Sequence, residues 1–247
     1  MQPKPNYHTK QERIAIAGAA GLTIRSLLDR EQFFDPLGEA ERLGISSAAW
    51  PIFGMLWPSG AQLAARMAAR PLHRGERILE IGCGLALPSL VAHRRGSIVT
   101  ASDCHPLAES FLLENLQLNN LPPLRYLAGQ WSTPLLAHSV AYADDVSAIA
   151  LEPLFTLPLV LGRFDLIIGS DVLYERDESG ALASFIAHHT APAAQVWIVD
   201  PNRSNRPAFN QRMAALGFAL TEERLDAPAS VGAAAYKGRL LVYTDTK

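Results

Sequence analysis

A loop with two glycines and a preceding carboxylate is the first feature of the sequence that could do chemistry. The segment starting at Glu80 reads acidic-x-Gly-x-Gly-x-Ala, with glycines at Gly82 and Gly84. Asp103 follows Gly84 by 19 residues, at the end of the next apolar run. Glycines let a ligand approach the backbone closely, and a carboxylate at this spacing can accept hydrogen bonds from both hydroxyls of a ribose. The alternative is a tight strand-to-helix turn in which Glu80 is a surface residue.

The spacing within this loop separates two classes of nucleotide cofactor. A dinucleotide site requires Gly-x-Gly-x-x-Gly or Ala, and Leu87 occupies the position of that last small residue. A carboxylate before the first glycine suits a cofactor with an amino group rather than a pyrophosphate. S-adenosylmethionine (SAM) carries both an ammonium group and a ribose diol. The loop, Glu80 and Asp103 together therefore predict a SAM site.

A second group of reactive side chains follows another apolar run. Asp171 and Tyr174 belong to the sequence Asp-Val-Leu-Tyr, directly after the run that begins at Phe164, where ligands of doubly wound folds bind. The alternative is an Asp that caps a helix and a Tyr that only packs. Enzymes that methylate adenine use Asn/Asp-Pro-Pro-aromatic at this place to stack a flipped base. Val172 and Leu173 replace both prolines, which argues against a nucleobase acceptor.

The remaining candidates have simpler interpretations. Cys83 has no Cys or His partner at metal-binding spacing, so no metal site is expected. Trp50 and Trp57 each precede a proline, and we expect Trp50 to cover the sheet edge. Arg203 and Arg206 could bind an acidic patch of a substrate, or could equally form salt bridges beside a helix.

Alternating strands and helices must position these residues. Apolar runs predict strands at 77–82, 97–103, 124–128, 164–169 and 195–200, and helical spacing predicts helices at 61–70, 85–93, 105–120, 178–189 and 206–216. Two final strands, at 218–224 and 239–244, have no helix between them. The predicted fold class is α/β: a Rossmann-like, doubly wound, mostly parallel seven-stranded sheet with a C-terminal antiparallel hairpin and an N-terminal helical extension. The mixture of prolines, apolar residues and aspartates in residues 133–162 predicts an extended loop or insertion.

Composition limits the class of protein. The chain has 247 residues and a net charge of -2, from 22 Lys and Arg against 24 Asp and Glu, without the basic surplus of a dedicated nucleic-acid binder. The apolar runs are too short to cross a bilayer, and residues 1–10 lack the apolar centre of a signal peptide. Two cysteines cannot form a disulfide framework. We expect a cytoplasmic monomer and, from the bias toward Ala and Arg, a bacterial source.

Together the motifs resemble those of the class I, seven-strand SAM-dependent methyltransferases, over roughly residues 57–247. More narrowly, the chain is similar to the protein lysine methyltransferase-like group. That group has a Trp-containing segment before the glycine loop, a Trp after the third strand and an Asp-x-x-Tyr motif after the fourth. The Asp-Pro-Asn-Arg at 200–203 also resembles the Asp-Pro-Gly-Arg of the electron-transfer-flavoprotein lysine methyltransferases, with Asn202 in place of Gly.

This resemblance implies a role for each matching residue. Asp171 and Tyr174 would face the substrate amine as catalytic residues. The others would bind SAM: Gly82, Cys83 and Gly84 along its methionine part, Asp103 at the ribose, Gln130 and Trp131 beside the adenine, and Trp57 and Ser170 elsewhere on the cofactor. We also count Glu80 among the cofactor-binding residues, because a carboxylate just before the first glycine suits the amino group of SAM.

The chain is expected to consist of two parts with different roles. Residues 1–56 would form an extension that lies over the acceptor pocket, and residues 57–247 the methyltransferase domain. The expected reaction is direct, in-line transfer of a methyl group to a lysine nitrogen of a protein substrate, with Asp171 orienting or deprotonating the amine. A small-molecule N- or O-methyltransferase and a SAM-binding interaction protein without turnover are the alternatives. Neither a nucleic-acid nor a membrane partner is expected.

Overall fold

The computed structural model describes residues 6–131, 159–228 and 235–246. Their strands, in chain order, are β1 (Thr9–Ile16), β2 (Ala19–Leu27), β3 (Arg77–Ile81), β4 (Ile98–Asp103), β5 (Arg125–Ala128), β6 (Phe164–Ser170), β7 (Thr190–Asp200), β8 (Phe218–Ala227) and β9 (Tyr236–Asp245). Seven of them form one sheet in the order β5-β4-β3-β6-β7-β9-β8. Only β9 runs antiparallel to its neighbours, β7 and β8, within this part of the chain. The predicted mostly parallel sheet with a C-terminal antiparallel hairpin is therefore confirmed.

Helices cover both faces of this sheet. They are α1 (Glu39–Arg42), α2 (Pro58–Ala69), α3 (Leu87–Arg94), α4 (Ala108–Leu118), α5 (Ala181–His189) and α6 (Arg206–Ala215), with a 3-10 helix at Trp50–Gly54. The five predicted helices are all present, with ends displaced by a few residues. Most of the predicted loop at 133–162 lies outside the described residues.

The first part of the N-terminal extension is a β-hairpin, so the prediction of helical pieces there is wrong. Strands β1 and β2 pair antiparallel, with Gly18 in the left-handed region of the turn at φ +80°. Leu22, Ile24 and Ser26 are buried at every second position, which is the period of a strand with one face on a core. From residue 6 to residue 56, helix is limited to α1 and the 3-10 turn.

Asn115 of α4 and Asn119, the residue that caps the end of this helix, pair with the free edge of the hairpin. Asn115 Oδ1 accepts a hydrogen bond from the Arg25 N–H at 2.7 Å, and Asn119 Oδ1 accepts one from the Thr23 N–H at 2.8 Å. Asn119 also donates to the Thr23 carbonyl at 2.7 Å. Residues four apart share one face of a helix, and alternate residues of a strand present their backbone on the same edge. The hairpin is therefore fixed to the helical layer beside the sheet.

Parallel pairing brings three functional segments to one edge of the sheet. Ile81 of β3 pairs with Ser102 of β4 and with Gly169 of β6. The residues that follow these three positions, which begin the glycine loop, the Asp103 turn and the Asp-x-x-Tyr motif, therefore emerge side by side. Ligand sites of open parallel sheets lie beyond these carboxyl ends.

Candidate active site

A cavity of about 1010 Å³ opens beyond the carboxyl ends of β3, β4 and β6. The glycine loop, the loops that follow β4, β5, β6 and β7, and parts of the N-terminal extension form its walls. All but one of the predicted site residues line it: Trp57, Gly82, Cys83, Gly84, Asp103, Gln130, Trp131, Ser170, Asp171 and Tyr174. The fold thus gathers into one space residues that are widely separated in sequence.

Asp103 is tied to the glycine loop by its own carboxylate. Its Oδ2 accepts a hydrogen bond from the Gly84 N–H at 2.8 Å, and its Oδ1 accepts one from the His105 N–H at 2.9 Å. Burial raises the pKa of this carboxyl, and the backbone N–H groups of His105, Gly84 and Cys104 oppose that shift. A Cβ at Gly84 would lie 2.7 Å from the carbonyl oxygen of Phe53, so glycine is required where the loop meets the extension.

His105 is a site residue that the sequence analysis missed. Its ring stacks on Phe53 with centroids 3.7 Å apart and meets the edge of Trp50 at 5.4 Å. Nδ1 accepts a hydrogen bond from the Leu107 N–H at 3.1 Å, which assigns the neutral ring's proton to Nε2. Burial lowers the pKa of His105 to about 3, so the ring is neutral at physiological pH. The residue thereby connects the aromatic part of the extension to the Asp103 turn.

Glu80 is the exception among the predicted cofactor residues. Its side chain is almost fully buried, and among the described residues it lies outside the cavity wall. Glu80 Oε2 accepts a hydrogen bond from the Ser89 N–H at 2.8 Å, in the first turn of α3, where the helix has unpaired N–H groups. Burial raises the pKa of the carboxyl to about 8, although the bond from Ser89 opposes this. Glu80 therefore anchors the helix behind the glycine loop.

Aromatic side chains shape the rest of the wall. Trp57 donates from Nε1 to the Ile52 carbonyl at 2.9 Å, and the Arg30 guanidinium lies 4.8 Å from the centroid of its ring. A Cβ at Gly82, whose φ is +55°, would lie 3.5 Å from the Trp131 ring and 3.0 Å from Val172. Glycine at this position therefore keeps the space between loop and indole open.

Asp171 forms a salt bridge with Arg203, which the sequence alone could assign either to an acidic patch of a substrate or to a salt bridge. Arg203 donates from Nε to Asp171 Oδ1 at 2.8 Å and from Nη2 to Oδ2 at 3.0 Å. The Asp171 side chain is 8% exposed and the Arg203 side chain 39%. Arg203 thus forms a salt bridge across two loops, and Asp171 does not cap a helix within the described residues.

Tyr174 lies three residues further along the same loop and is 43% exposed. Partial burial of its hydroxyl, together with the nearby Glu175 carboxylate, raises its pKa above the ordinary value. The phenol is therefore protonated at neutral pH and can both donate and accept a hydrogen bond.

Cys83 is buried and its pKa is raised well above the ordinary value, first by burial and then by Asp103, so it is neither a thiolate nor a nucleophile at neutral pH.

The cavity suits the chemistry of SAM. The Asp103 oxygens accept hydrogen bonds from backbone N–H groups, and because a carboxylate has about four acceptor positions, capacity remains for a ribose diol. Trp131 supplies an apolar surface of the kind on which an adenine can stack, and the bare backbone at Gly82 allows close approach. Across residues 6–131, 159–228 and 235–246, no group of three or more metal-ligating side chains is placed to hold a metal ion.

Comparisons with known proteins agree with this chemistry, although no family model matches the chain. The electron transfer flavoprotein beta subunit lysine methyltransferase of Mus musculus is 25% identical over 210 residues, which are 82% of this chain and 70% of that protein. The histone-arginine methyltransferase METTL23 of Homo sapiens is 29% identical over 150 residues, 58% of this chain and 67% of its own. A solved methyltransferase from Pyrococcus furiosus matches with a TM-score of 0.52 and 18% identity, covering 83% of this chain and 96% of that one.

The fold and these similarities define the class of protein. The chain has the class I SAM-dependent methyltransferase fold, it is a SAM-dependent methyltransferase, and its cofactor is SAM. In the part of the chain that the structure describes, none of the helices is both long and apolar enough to span a membrane.

Proposed function

We propose that this methyltransferase transfers a methyl group to the side-chain nitrogen of a lysine in a protein substrate. The observation that carries the proposal is that Asp171 and Tyr174 line the same cavity as Asp103 and the glycine loop. Its volume of about 1010 Å³ lies at the upper end of the range of about 300–1,000 Å³ for one small ligand, which leaves room for an acceptor side chain beside the cofactor. The names of the relatives, a lysine and a histone-arginine methyltransferase, support a protein acceptor.

The chemistry required of the chain is mainly alignment and control of one proton. A lysine amine has an ordinary pKa of about 10.4, so at neutral pH it is mostly an ammonium without a free lone pair. When bound, SAM supplies an electrophilic methyl group; the neutral amine forms the N–C bond while the electrons of the broken C–S bond stay on sulfur. In this proposal Asp171 accepts a hydrogen bond from the amine and Tyr174 holds it through its hydroxyl or ring. A fixed, partly dry geometry supplies most of the rate.

The cofactor contacts are part of the same proposal. Asp103 holds the ribose, the Gly82-Cys83-Gly84 backbone faces the methionine part, and Gln130 and Trp131 border the adenine. Trp57 and Ser170 complete this half of the cavity. The proposal assigns Glu80 a supporting role behind the loop, because its carboxylate bonds to α3.

The N-terminal extension, residues 1–56, is proposed to have two roles. Its hairpin stabilises the domain by packing on α4. The segment after the hairpin supplies Arg30, Leu43 and Ile45 to the cavity wall, which supports a role in acceptor choice. A cytoplasmic location, a bacterial source and a monomeric state stay predictions.

Transfer of labelled methyl groups tests the proposed function. Wild-type enzyme, tritiated SAM and a lysate are incubated together, and protein is separated from small molecules. Purified electron transfer flavoprotein beta subunit and histones, which the names of the relatives suggest, are assayed in parallel. We expect label in protein, located on lysine by mass spectrometry and strongly reduced with Asp103→Ala at a SAM concentration near the wild-type Kd. Label found only in the small-molecule fraction would instead establish the alternative, a small-molecule methyltransferase.

A further inference from the structure

The guanidinium of Arg203 binds the Asp171 carboxylate through two N–H groups, Nε and Nη2. The Arg203 hydrogen bonds to its two oxygens measure 2.8 and 3.0 Å, and both side chains line the cavity. A two-point contact of this kind fixes the orientation of a carboxylate and is among the stronger hydrogen-bonding arrangements in proteins. Asp171, which is proposed to accept a hydrogen bond from the substrate amine, is therefore already paired with a cation in the wall of the cavity.

Backbone contacts hold each partner from behind. Asp171 has a left-handed φ of +56°, and its N–H donates to the Val199 carbonyl at 2.9 Å. The Arg203 N–H donates to Asp200 Oδ2, also at 2.9 Å. Because β6 and β7 are neighbours in the sheet, the loops that follow them face each other. The pair is thus built into the fold and is unlike two free side chains meeting on a surface.

Other charged or titratable groups face the pair from each adjoining element. The Asp200 carboxyl is fully buried, and one of its oxygens has no hydrogen-bond partner in the described part of the chain. Arg206 instead donates to Asn202 Oδ1 at 2.8 Å. Tyr174 interacts with Asp171, and Tyr236 interacts with both Asp171 and Arg203. Among the described residues, Arg203 is the one cation bonded to the Asp171 side chain.

We propose that Arg203 is a positioning residue that compensates the charge of Asp171, so that a lysine amine in the cavity reacts as the neutral base. An isolated carboxylate beside the amine would stabilise the ammonium form, which has no lone pair for attack. Paired with Arg203, Asp171 keeps lone pairs that orient an N–H while contributing little net charge. The ammonium proton passes to solvent water before transfer. This inference rests on the proposed lysine acceptor and adds the residue that sets its protonation state.

The pH dependence of kcat tests the inference, because kcat reports ionisations in the bound complex. In Arg203→Gln the uncompensated carboxylate should raise the pKa of the bound amine and move the rising limb to higher pH by about 1 unit or more. Activity at neutral pH should then fall about tenfold or more and recover at alkaline pH. Arg203→Lys keeps the charge without the two-point contact, so its limb should stay near wild type while the plateau falls. Arg77→Gln removes a salt bridge with Asp165 at the opposite end of the sheet; as the matched control it should leave the profile unchanged.

The outcomes separate this inference from the proposed function. Loss of activity in both Arg203 variants with an unmoved limb would show that Arg203 only supports the fold. Binding of S-adenosylhomocysteine shows whether Arg203→Gln is folded; if it is not, Asp171→Asn must move the limb to lower pH, because it leaves Arg203 as an unpaired cation, and an unmoved limb there overturns the inference. A wild-type enzyme that marks no lysine refutes the proposed function and this inference with it. Marking of lysine with an unmoved limb refutes the inference alone.

Discussion

The Gly84 N–H and the Asp103 carboxylate are joined by a hydrogen bond of 2.8 Å. The loop proposed to face the methionine part of SAM and the carboxylate proposed to bind its ribose therefore fix each other. The His105 N–H holds the second carboxylate oxygen at 2.9 Å, which leaves Asp103 little freedom to turn away from the cavity. Such preorganisation reduces the ordering that a ligand must otherwise impose when it binds.

Replacing Asp103 with Ala should weaken S-adenosylhomocysteine binding by about 1–3 kcal/mol, because hydrogen bonds to a buried diol are lost and the Gly84 N–H loses its acceptor. Isothermal titration calorimetry measures this directly. Asp165→Ala is a suitable control, since Asp165 lies at the opposite end of β6 and pairs with Arg77. Unchanged affinity in Asp103→Ala would remove Asp103 from the cofactor site.

Replacing Glu80 with Gln should flatten the dependence of stability on pH. Burial raises the pKa of Glu80 to about 8 in the folded protein, so the folded state binds more protons than the unfolded state between about pH 4.5 and 8. The contribution of Glu80 to stability is thus full below this window and is lost as pH rises through it. We expect a decline on the order of 4 kcal/mol in wild type that is missing in Glu80→Gln.

Urea unfolding at pH 5, 6.5 and 8 measures this difference. Asp103 and Asp200, whose pKa values burial also raises, are present in both proteins and cancel in the comparison. The exposed Glu31→Gln serves as control and should follow wild type. If the stability of wild type and Glu80→Gln changed with pH in parallel, the raised pKa of Glu80 in the folded protein would be contradicted.

The sequence could predict those parts of the site that follow single strands. Parallel strands such as β3 and β6 are short, mostly buried apolar runs that are followed by glycine or end in a polar residue, and this pattern can be recognised without knowing the neighbouring strands. The Arg203 contact required more, because it joins positions 32 residues apart through the adjacency of β6 and β7. Glu80 has the expected spacing, yet its side chain turns toward the start of α3. The hairpin was missed because two glycines in an apolar stretch obscured the alternation of Leu22 and Ile24.

Replacing Asp171 with Asn keeps the shape of the side chain but removes its charge. If Asp171 orients the amine, turnover should fall about 100-fold or more, while S-adenosylhomocysteine affinity changes little. Single-turnover transfer to the lysine acceptor separates the chemical step from cofactor binding. Because Asp171 bonds to Arg203 and not to a helix start, a full-activity Asp171→Asn enzyme would leave it a structural partner of Arg203 alone.

Ile45 offers a test of the extension as a wall of the acceptor pocket. Its side chain lines the cavity, so Ile45→Ala should raise the acceptor KM about fivefold to tenfold through lost apolar contact. Cofactor affinity should not change. Leu28→Ala is the matched control, because Leu28 belongs to the same extension but is 48% exposed. Equal effects of the two changes on the acceptor KM would refute a specific role for the cavity-lining segment.

Asn115 should carry much of the attachment of the hairpin. It is fully buried, accepts from the Arg25 N–H at 2.7 Å and donates to the Arg25 carbonyl at 3.3 Å. Asn115→Ala leaves both backbone groups unpaired, so the free energy of unfolding should fall by about 1–3 kcal/mol. Gln117→Ala, on the exposed side of α4, should change stability by less than about 0.5 kcal/mol. Urea denaturation compares the two, and an Asn115→Ala protein as stable as wild type would mean that the hairpin is held by its apolar face alone.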